Sequence, residues 1–587
     1  MIRHFFVWLC LFTVWSFSFL SAQQRDPKAV HRPHTLSAIG QAYEEGRISL
    51  DQKVLYQFYA VQQPDMLPGG LRPDAGSPVK CGTPFLLAYR RHRDQLQPPT
   101  VAEIESAGMM THTVQAGTET YTSPTGRFLI HYTTSGDDAV PPADSSGVEG
   151  IPDYVEWVAA AADSSWRHQV GTLGYTDPVT GTAYPYPVFI ENTGNIYGYT
   201  DFGHKRGYTG STYIVIHNNF EEFPSNTDPE GHVKGAIKVT VAHELKHAIQ
   251  YAATRWEGES DRWAEMDATL MEEVVYDDVN DYYNYLNSSS SIFRNPQDSF
   301  YPGSYYHVTW GLFFEEKYGP QFWVEVWKVL QTNPHNIRFI EAVQAVLEHT
   351  QAFGRAYTES QLWHFASGAD RSPPDYGFEE RLNYPDPAIH TSFFGMDSLT
   401  TPVSIDPLAA NYIEVNPAFQ TEGAVRVEFS RSASHIGMGL IAYLKDGRSE
   451  QAIISGGEAL VLAEQPSWEW NNIERMGIVV TNSSEDSSGS YRMKVITNIP
   501  ELTHLGQNYP NPFNLRTTIP FNLHRESHVQ LKVYDVLGRL VQTLIDETRP
   551  RGYYTPKFRT RELSSGVYMY QLVTDEEVLT RKMTLIK

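Results

Sequence analysis

Apolar positions recur with different periods along this chain. GRFLIHYT (126–133) alternates apolar and polar residues as a half-buried strand does, and YPVFIEN (186–192) and STYIVIHN (211–218) predict two more strands. DYVEWVAAAADSSWRHQVGTLGY (153–175) changes to helical spacing and ends near Gly174. Ile237, Val239, Val241, Ala242, Leu245, Ala248, Ile249 and Ala252 keep that spacing, so the stretch VTVAHELKHAIQY (239–251) predicts a largely buried helix. DRWAEMDATLMEEVV (261–275) predicts a second helix with Asp261, Asp267 and Glu273 on its solvated face. SYYHVTWGLFFEEKYG (304–319) predicts an amphipathic helix, and helical patterns continue to about 367. Upstream, residues 34–64 fit two short helices broken around Gly46, followed by a Pro- and Gly-rich stretch (62–84) and PFLLAYRRHRDQL. Beyond 396, AVRVEFS, MGLIAYL, QAIISG, ALVLAE, MGIVVTN and YRMKVITN are short strands at the spacing of a β-sandwich.

The expected architecture is multidomain. An α+β body, in which strand, helix, strands and then the 239–251 helix come in order, precedes two β-sandwich domains. Arg3 and the apolar run to Ala22 mark residues 1–22 as a signal peptide. Residues 23–120 form a helical pre-segment, the position of a propeptide. The body spans 121–395, an accessory sandwich 396–500 and a terminal one 501–587. No later stretch reaches 18 apolar residues, so no stable membrane insertion is expected after the signal is removed. The net charge of −23 argues against nucleic acid and against anionic membranes as partners.

The chemistry concentrates at 243–247, H-E-L-K-H. Four residues apart on a helix, His243 and His247 share one face and can hold one Zn²⁺. Glu244 then lies beside the metal, where it can act as general base on a metal-bound water. This is the H-E-x-x-H motif of zincins. Gln250 and Ala253 exclude the metzincin third ligand. On the second helix Glu265, with small Ala264 and Ala268 beside it, is the first candidate; Glu272, on the same face, is the alternative or an outer partner for a histidine N–H. Tyr305, Tyr306 or His307 could stabilise an oxyanion, Tyr305 being the choice, although aromatic packing is the commoner fate of such residues. ADSSGVEGIPD (143–153) carries a sparse set of calcium-type oxygens and otherwise reads as a turn.

Two resemblances add to this. LGQNYPNPFN (505–514), HVQLKVYDVLGRLVQTLID (528–546) and LSSGVYMYQLVTDEEVLTRKMTLIK (563–587) closely resemble the C-terminal type IX secretion sorting domain. That implies a Gram-negative envelope, passage through the periplasm, engagement of the type IX machinery by residues 501–587, and a secreted or surface-held product. Phe128–Tyr132, Pro152-Asp153-Tyr154-Val155, His243–Gln250 and Glu265-x-x-Ala268-x-x-x-Glu272 resemble secreted gluzincin-type metalloproteases that often carry such tails. That resemblance implies zinc on His243, His247 and Glu265, Glu244 as base, and a protein or peptide substrate. A surface-displayed binding protein on a retired scaffold of this kind is the alternative.

Removal of the signal leaves Cys81 as the one cysteine, so no internal disulfide is expected. Its run, PVKCGTP (78–84), resembles the cysteine switch of matrixin propeptides, with Lys80 in place of Arg. A thiolate is a good fourth zinc ligand. A small buried residue in a turn is the plainer reading of Cys81.

Overall fold

The computed structural model describes residues 35–71, 79–106, 117–145, 147–179, 185–202, 212–348, 350–394, 397–416, 424–454, 460–496, 502–508, 510–549, 552–554, 556–560 and 563–586. The expected signal peptide, 1–22, lies outside them. Four helices and one short strand come first: α1 (Thr35–Glu44), α2 (Leu50–Gln62), β1 (Val79–Cys81), α3 (Thr83–His92) and α4 (Pro98–Ser106). The chain breaks around Gly46, as expected, and α2 starts at a reciprocal cap in which the Ser49 hydroxyl accepts from Gln52 N and Gln52 Oε1 accepts from Ser49 N.

Next come β2 (Glu119–Thr122), β3 (Phe128–Tyr132), α5 (Asp153–Trp166), β4 (Tyr186–Glu191), β5 (Ile196–Phe202) and β6 (Thr212–His217). With β1 they form one six-stranded sheet in the order β1-β5-β6-β4-β3-β2. β3, β4 and β6 pair in parallel, β5 runs antiparallel to β6, and β1 lies parallel to β5. Every residue of β4 and β6 is buried, the mark of a sheet covered on both faces. On one face Ile130, Val188, Ile214 and Ile216 meet Val155, Val158, Ile237, Val241 and Leu245. On the other, Phe189, Tyr199, Tyr213 and Val215 meet Phe58, Phe85, Leu86 and Tyr89 of the pre-segment.

One expectation is corrected here, and one strand was not anticipated. The 23–120 segment is not self-standing, because β1 and its helices complete the body's sheet and core, and β2 crosses the 120/121 boundary. The strand β5 gave no alternating signal, because both of its faces are buried.

The remaining helices are α6 (His232–Thr254), α7 (Ala264–Val275), α8 (Tyr283–Leu286), α9 (Val308–Tyr318), α10 (Gln321–Thr332), α11 (Phe339–Leu347) and α12 (Phe353–Phe365). α9 is not amphipathic in the expected sense: Val308 through Phe314 are all buried. Asp267 and Glu273 are buried rather than solvated, and Asp261 is half-buried against Arg91 at 2.5 Å. Burial, reinforced by the carboxylates of Glu380 and Asp277, pushes Glu273 up to about 10.

C-terminal to the helices come β7 (Thr391–Phe394), β8 (Asp397–Ile405), β9 (Ala409–Asn416), β10 (Ala424–Arg431), β11 (Ile436–Leu444), β12 (Ser449–Ile454), β13 (Leu460–Glu469), β14 (Ile473–Asn482) and β15 (Gly489–Ile496). They make two sheets, β13-β10-β15-β8 and β12-β11-β14-β9-β7, around a shared core that includes Val427, Phe429, Leu440, Ile478 and Val495. α12 sits directly on the second sheet: a Cβ on Gly437, Gly439 or Gly477 would come within 2.5, 2.6 or 2.1 Å of Thr358, Leu362 or Phe365. Residues 502–586 are again β-rich, with a four-stranded sheet over a core of Leu531, Val533, Tyr570, Leu572 and Met583. Among the described residues no helix is long and apolar enough to cross a membrane.

A buried histidine ties α12 to α9. His364 Nδ1–H donates to Ser360 O at 2.7 Å, and its Nε2 accepts from the Thr309 hydroxyl at 2.9 Å. Burial holds its pKa at about 4, and does the same for His307. The unfolded chain protonates near 6.5, so stability is unaffected above that pH and falls as pH drops toward 4. Each buried imidazole costs up to roughly 3 kcal/mol once pH has passed through its folded value. Urea unfolding between pH 7 and 4.5 is expected to show this slope, and His364→Gln to flatten it. An unchanged slope in the variant would remove His364 from the account.

Candidate metal centre

Helix α6 is buried along one continuous stretch from Val239 to Gln250, wedged between the sheet and α7. Gly198 of β5 makes this fit possible, since a Cβ there would meet Val215 O at 2.7 Å, Thr240 Cγ2 at 2.9 Å and Glu244 Cγ at 3.3 Å. The expected pair then converges: His243 Nε2 and His247 Nε2 lie 3.1 Å apart. Glu265, at the first turn of α7, brings Oε1 to 3.0 Å from His247 Nε2 and Oε2 to 3.5 Å from His243 Nε2. Cys81 joins from β1. One donor atom from each of Cys81, His243, His247 and Glu265 lies within 4.8 Å of the other three, and all four residues are buried.

This donor set fits a single Zn²⁺. With bonds of about 2.0–2.3 Å, the donors of a tetrahedral site stand about 3.3–3.8 Å apart. Glu265 is only 8% exposed, and its two carboxylate oxygens are turned to the histidine Nε2 atoms. Without a cation the charges are forced onto protons. Burial lowers the His243 pKa, but Glu265 and Glu272 outweigh it and hold it near 10, while the two histidines keep Glu265 well below the usual carboxylate range despite its burial. Burial, with Glu244 and Glu265 nearby, pushes the Cys81 thiol far up, so it is neutral without a cation.

Each imidazole is aimed by a hydrogen bond from its other nitrogen, the usual support of a metal-binding histidine. His243 Nδ1–H donates to Glu272 Oε1 at 2.7 Å. Of the two carboxylates considered on α7, Glu265 therefore faces the donor set and Glu272 stands behind a histidine. His247 Nδ1–H donates to Gln250 Oε1 at 2.8 Å, and Gln250 Nε2 donates to Ala264 O at 3.0 Å and Asp267 Oδ2 at 2.7 Å. Gln250 was singled out in the sequence only as a residue that is not glycine. Its position three residues after His247, on the same helix face, was the available signal.

Glu244 is wholly buried beside the donors. Its Oε2 accepts from the Thr200 hydroxyl at 2.8 Å, while Oε1 accepts no hydrogen bond. Burial raises its pKa against the lowering effect of His243 and His247. Tyr305 is buried, edge-on to Tyr285 and tilted against Tyr306, and its hydroxyl donates to Tyr306 Oη at 3.3 Å. At the turn considered for calcium, Asp144, Asp153 and Glu156 accept backbone N–H groups from Gly150, Ser145 and Val148. The sequence marked Lys80 only as the residue in place of Arg and missed Asp281; their ion pair at 2.5 Å is buried next to Glu272.

Residues 507–587 match the Secretion system C-terminal sorting domain. This tail marks the chain for export through the type IX system, to the medium or the cell surface, and implies contact with that machinery. No curated protein matches the chain. Among solved structures it is similar to PorZ, described as an essential surface component of the type IX secretion system of Porphyromonas gingivalis (16% identity, 16% of this chain, 14% of that one, TM-score 0.12). It is also similar to a β-glucuronidase from Ruminococcus gnavus (14% identity, 30% and 35% of the two chains, TM-score 0.12) and a β-1,2-glucanase from Parabacteroides distasonis (7% identity, 29% of each, TM-score 0.15). The chain spans about a third or less of the length of these proteins, and superposition this poor carries no argument about fold or activity.

Two outcomes are expected. Glu272→Gln keeps the shape of the side chain but weakens the grip on His243, so zinc affinity measured by chelator competition should fall by about 10–100-fold. Deleting 505–587 should leave a folded protein in the periplasm, read by fractionation; normal appearance in the medium would contradict the role of the tail.

Proposed function

We propose that this chain is an exported zinc-dependent peptidase that hydrolyses peptide bonds, with its α/β body in the zincin-like class. The observation that carries the reading is the convergence of His243 and His247 of α6 with Glu265 of α7, with Glu244 buried beside them. Zinc, held by those two imidazoles and that carboxylate, supplies Lewis acidity toward a scissile carbonyl and acidifies water.

The chain's own groups do the rest. Thr200 fixes one oxygen of Glu244, leaving the other to take a proton from the attacking water and later deliver it to the leaving amine. In this reading Tyr305 turns its hydroxyl from Tyr306 to the developing oxyanion. Strand β5, next to the motif helix, pairs along one edge with the extended segment β1, and an extended peptide taking that place once β1 has left makes protein or peptide the substrate class.

The test compares the full chain and Glu244→Gln after limited proteolysis of the pre-segment. The wild type is expected to contain stoichiometric zinc and to cleave casein, with phenanthroline blocking it. Glu244→Gln should keep the zinc and lose at least a hundredfold in rate, in line with loss of a general base. Undiminished cleavage in Glu244→Gln would defeat this mechanism, and a zinc-free, inert wild type would favour the binding-protein alternative.

A further inference from the structure

We propose that Cys81 is the fourth metal ligand and that strand β1, locked by Lys80, keeps the centre closed until the pre-segment is cut. The proposal rests on the zinc-peptidase reading of the same site. Its first support is geometric. The Cys81 sulfur belongs to the buried four-donor group, and its neighbours there are the two histidines and a glutamate whose oxygens face their Nε2 atoms.

The second support is what β1 occupies. Val79 pairs with Ile196 and Cys81 with Gly198, while Val79 N donates to Asn195 O at 2.9 Å and Gly82 N to Gly198 O at 3.0 Å. The edge of β5 on which the proposed reading places an extended peptide is therefore filled by the chain's own pre-segment. The next residue, Thr83, exchanges hydrogen bonds with the backbone of Thr200, accepting from N at 2.8 Å and donating to O at 3.2 Å; its hydroxyl lies 3.4 Å from Glu244 Oε2. Metal position, substrate edge and base are all covered within a few residues.

Lys80 is the lock. It is 1% exposed, with Nζ 2.8 Å from Glu272, 2.5 Å from Asp281 and 4.4 Å above the Tyr197 ring. Glu272 is the carboxylate that aims His243, so the cation of the plug is bound to the support of the metal site. Outside it, Arg90 forks onto Asp201 at 2.8 and 2.5 Å and Arg91 reaches Asp261, which anchors α3 to both walls of the site. Withdrawal of β1 would strip Glu272 and Asp281 of their common cation, so the strand is held by charge as well as by coordination.

The test uses the exported full chain, Cys81→Ser and Lys80→Met, each loaded with zinc and read by X-ray absorption and by casein cleavage. The uncut wild type is expected to show a sulfur neighbour at about 2.3 Å and at least tenfold less activity than after proteolysis. Cys81→Ser should keep its zinc, lose the sulfur shell and cleave casein uncut. Lys80→Met should retain the sulfur in a fraction of molecules and cleave at an intermediate rate. Zinc bound by nitrogen and oxygen alone in the wild type overturns the proposal while leaving the zinc reading intact. Sulfur coordination with Cys81→Ser as silent as the uncut parent overturns the latency. Absence of zinc from the wild type and from Cys81→Ser overturns both the proposal and the reading beneath it.

Discussion

The structure depends on balancing charge where there is no water. Between the sheet, α6 and α7, the residues Lys80, His243, Glu244, Lys246, His247, Glu265, Asp267, Glu272 and Asp281 are all buried. Isolated buried charges are costly, and removing one member of a buried pair typically costs about 3–5 kcal/mol. The arrangement avoids isolation in two strings. One runs Asp281–Lys80–Glu272–His243, the other Lys246–Asp267–Gln250–His247. The strings meet at the paired Nε2 atoms, where the carboxylate of Glu265 leaves a surplus that a divalent cation would absorb.

The second string shows how tight the balance is. Lys246 lies 3.3 Å from Asp267 and 3.2 Å above the Tyr175 ring, yet burial still lowers its pKa to about 8. A lysine held this way gains little as an ion pair. The sequence order H-E-L-K-H thus serves two faces of one helix, one for the donors and one for a cation buried against α10 and the loop after α5.

Much of this was legible in the sequence because its signals are local. The four-residue spacing of His243 and His247, the apolar run around them, and the second helix bearing Glu265 need only helical periodicity. The tail was legible because its turns and strand ends carry fixed residues. The long-range features stayed hidden. β5 has no alternation because helix and pre-segment cover both of its faces. Asp267 and Glu273 read as solvated because nothing local announces that Gln250 and a group of acids from 277–380 will surround them. Cys81 left two readings open because only the sheet brings residue 81 beside residue 198.

The seat of α12 on the sandwich has a consequence for processing of the chain. Three glycines in β11 and β14 let Thr358, Leu362 and Phe365 lie against bare backbone, so the body and the 397–496 sheets share apolar surface. A protease that parted them near 395 would expose Leu362, Phe365, Tyr412 and Ile441 to solvent together, a patch of the kind that drives aggregation. Trimming that spares a soluble product must therefore fall beyond β15. The accessory sheets travel with the body as a fixed extension, and at this end of the chain the expendable stretch is the one C-terminal to them.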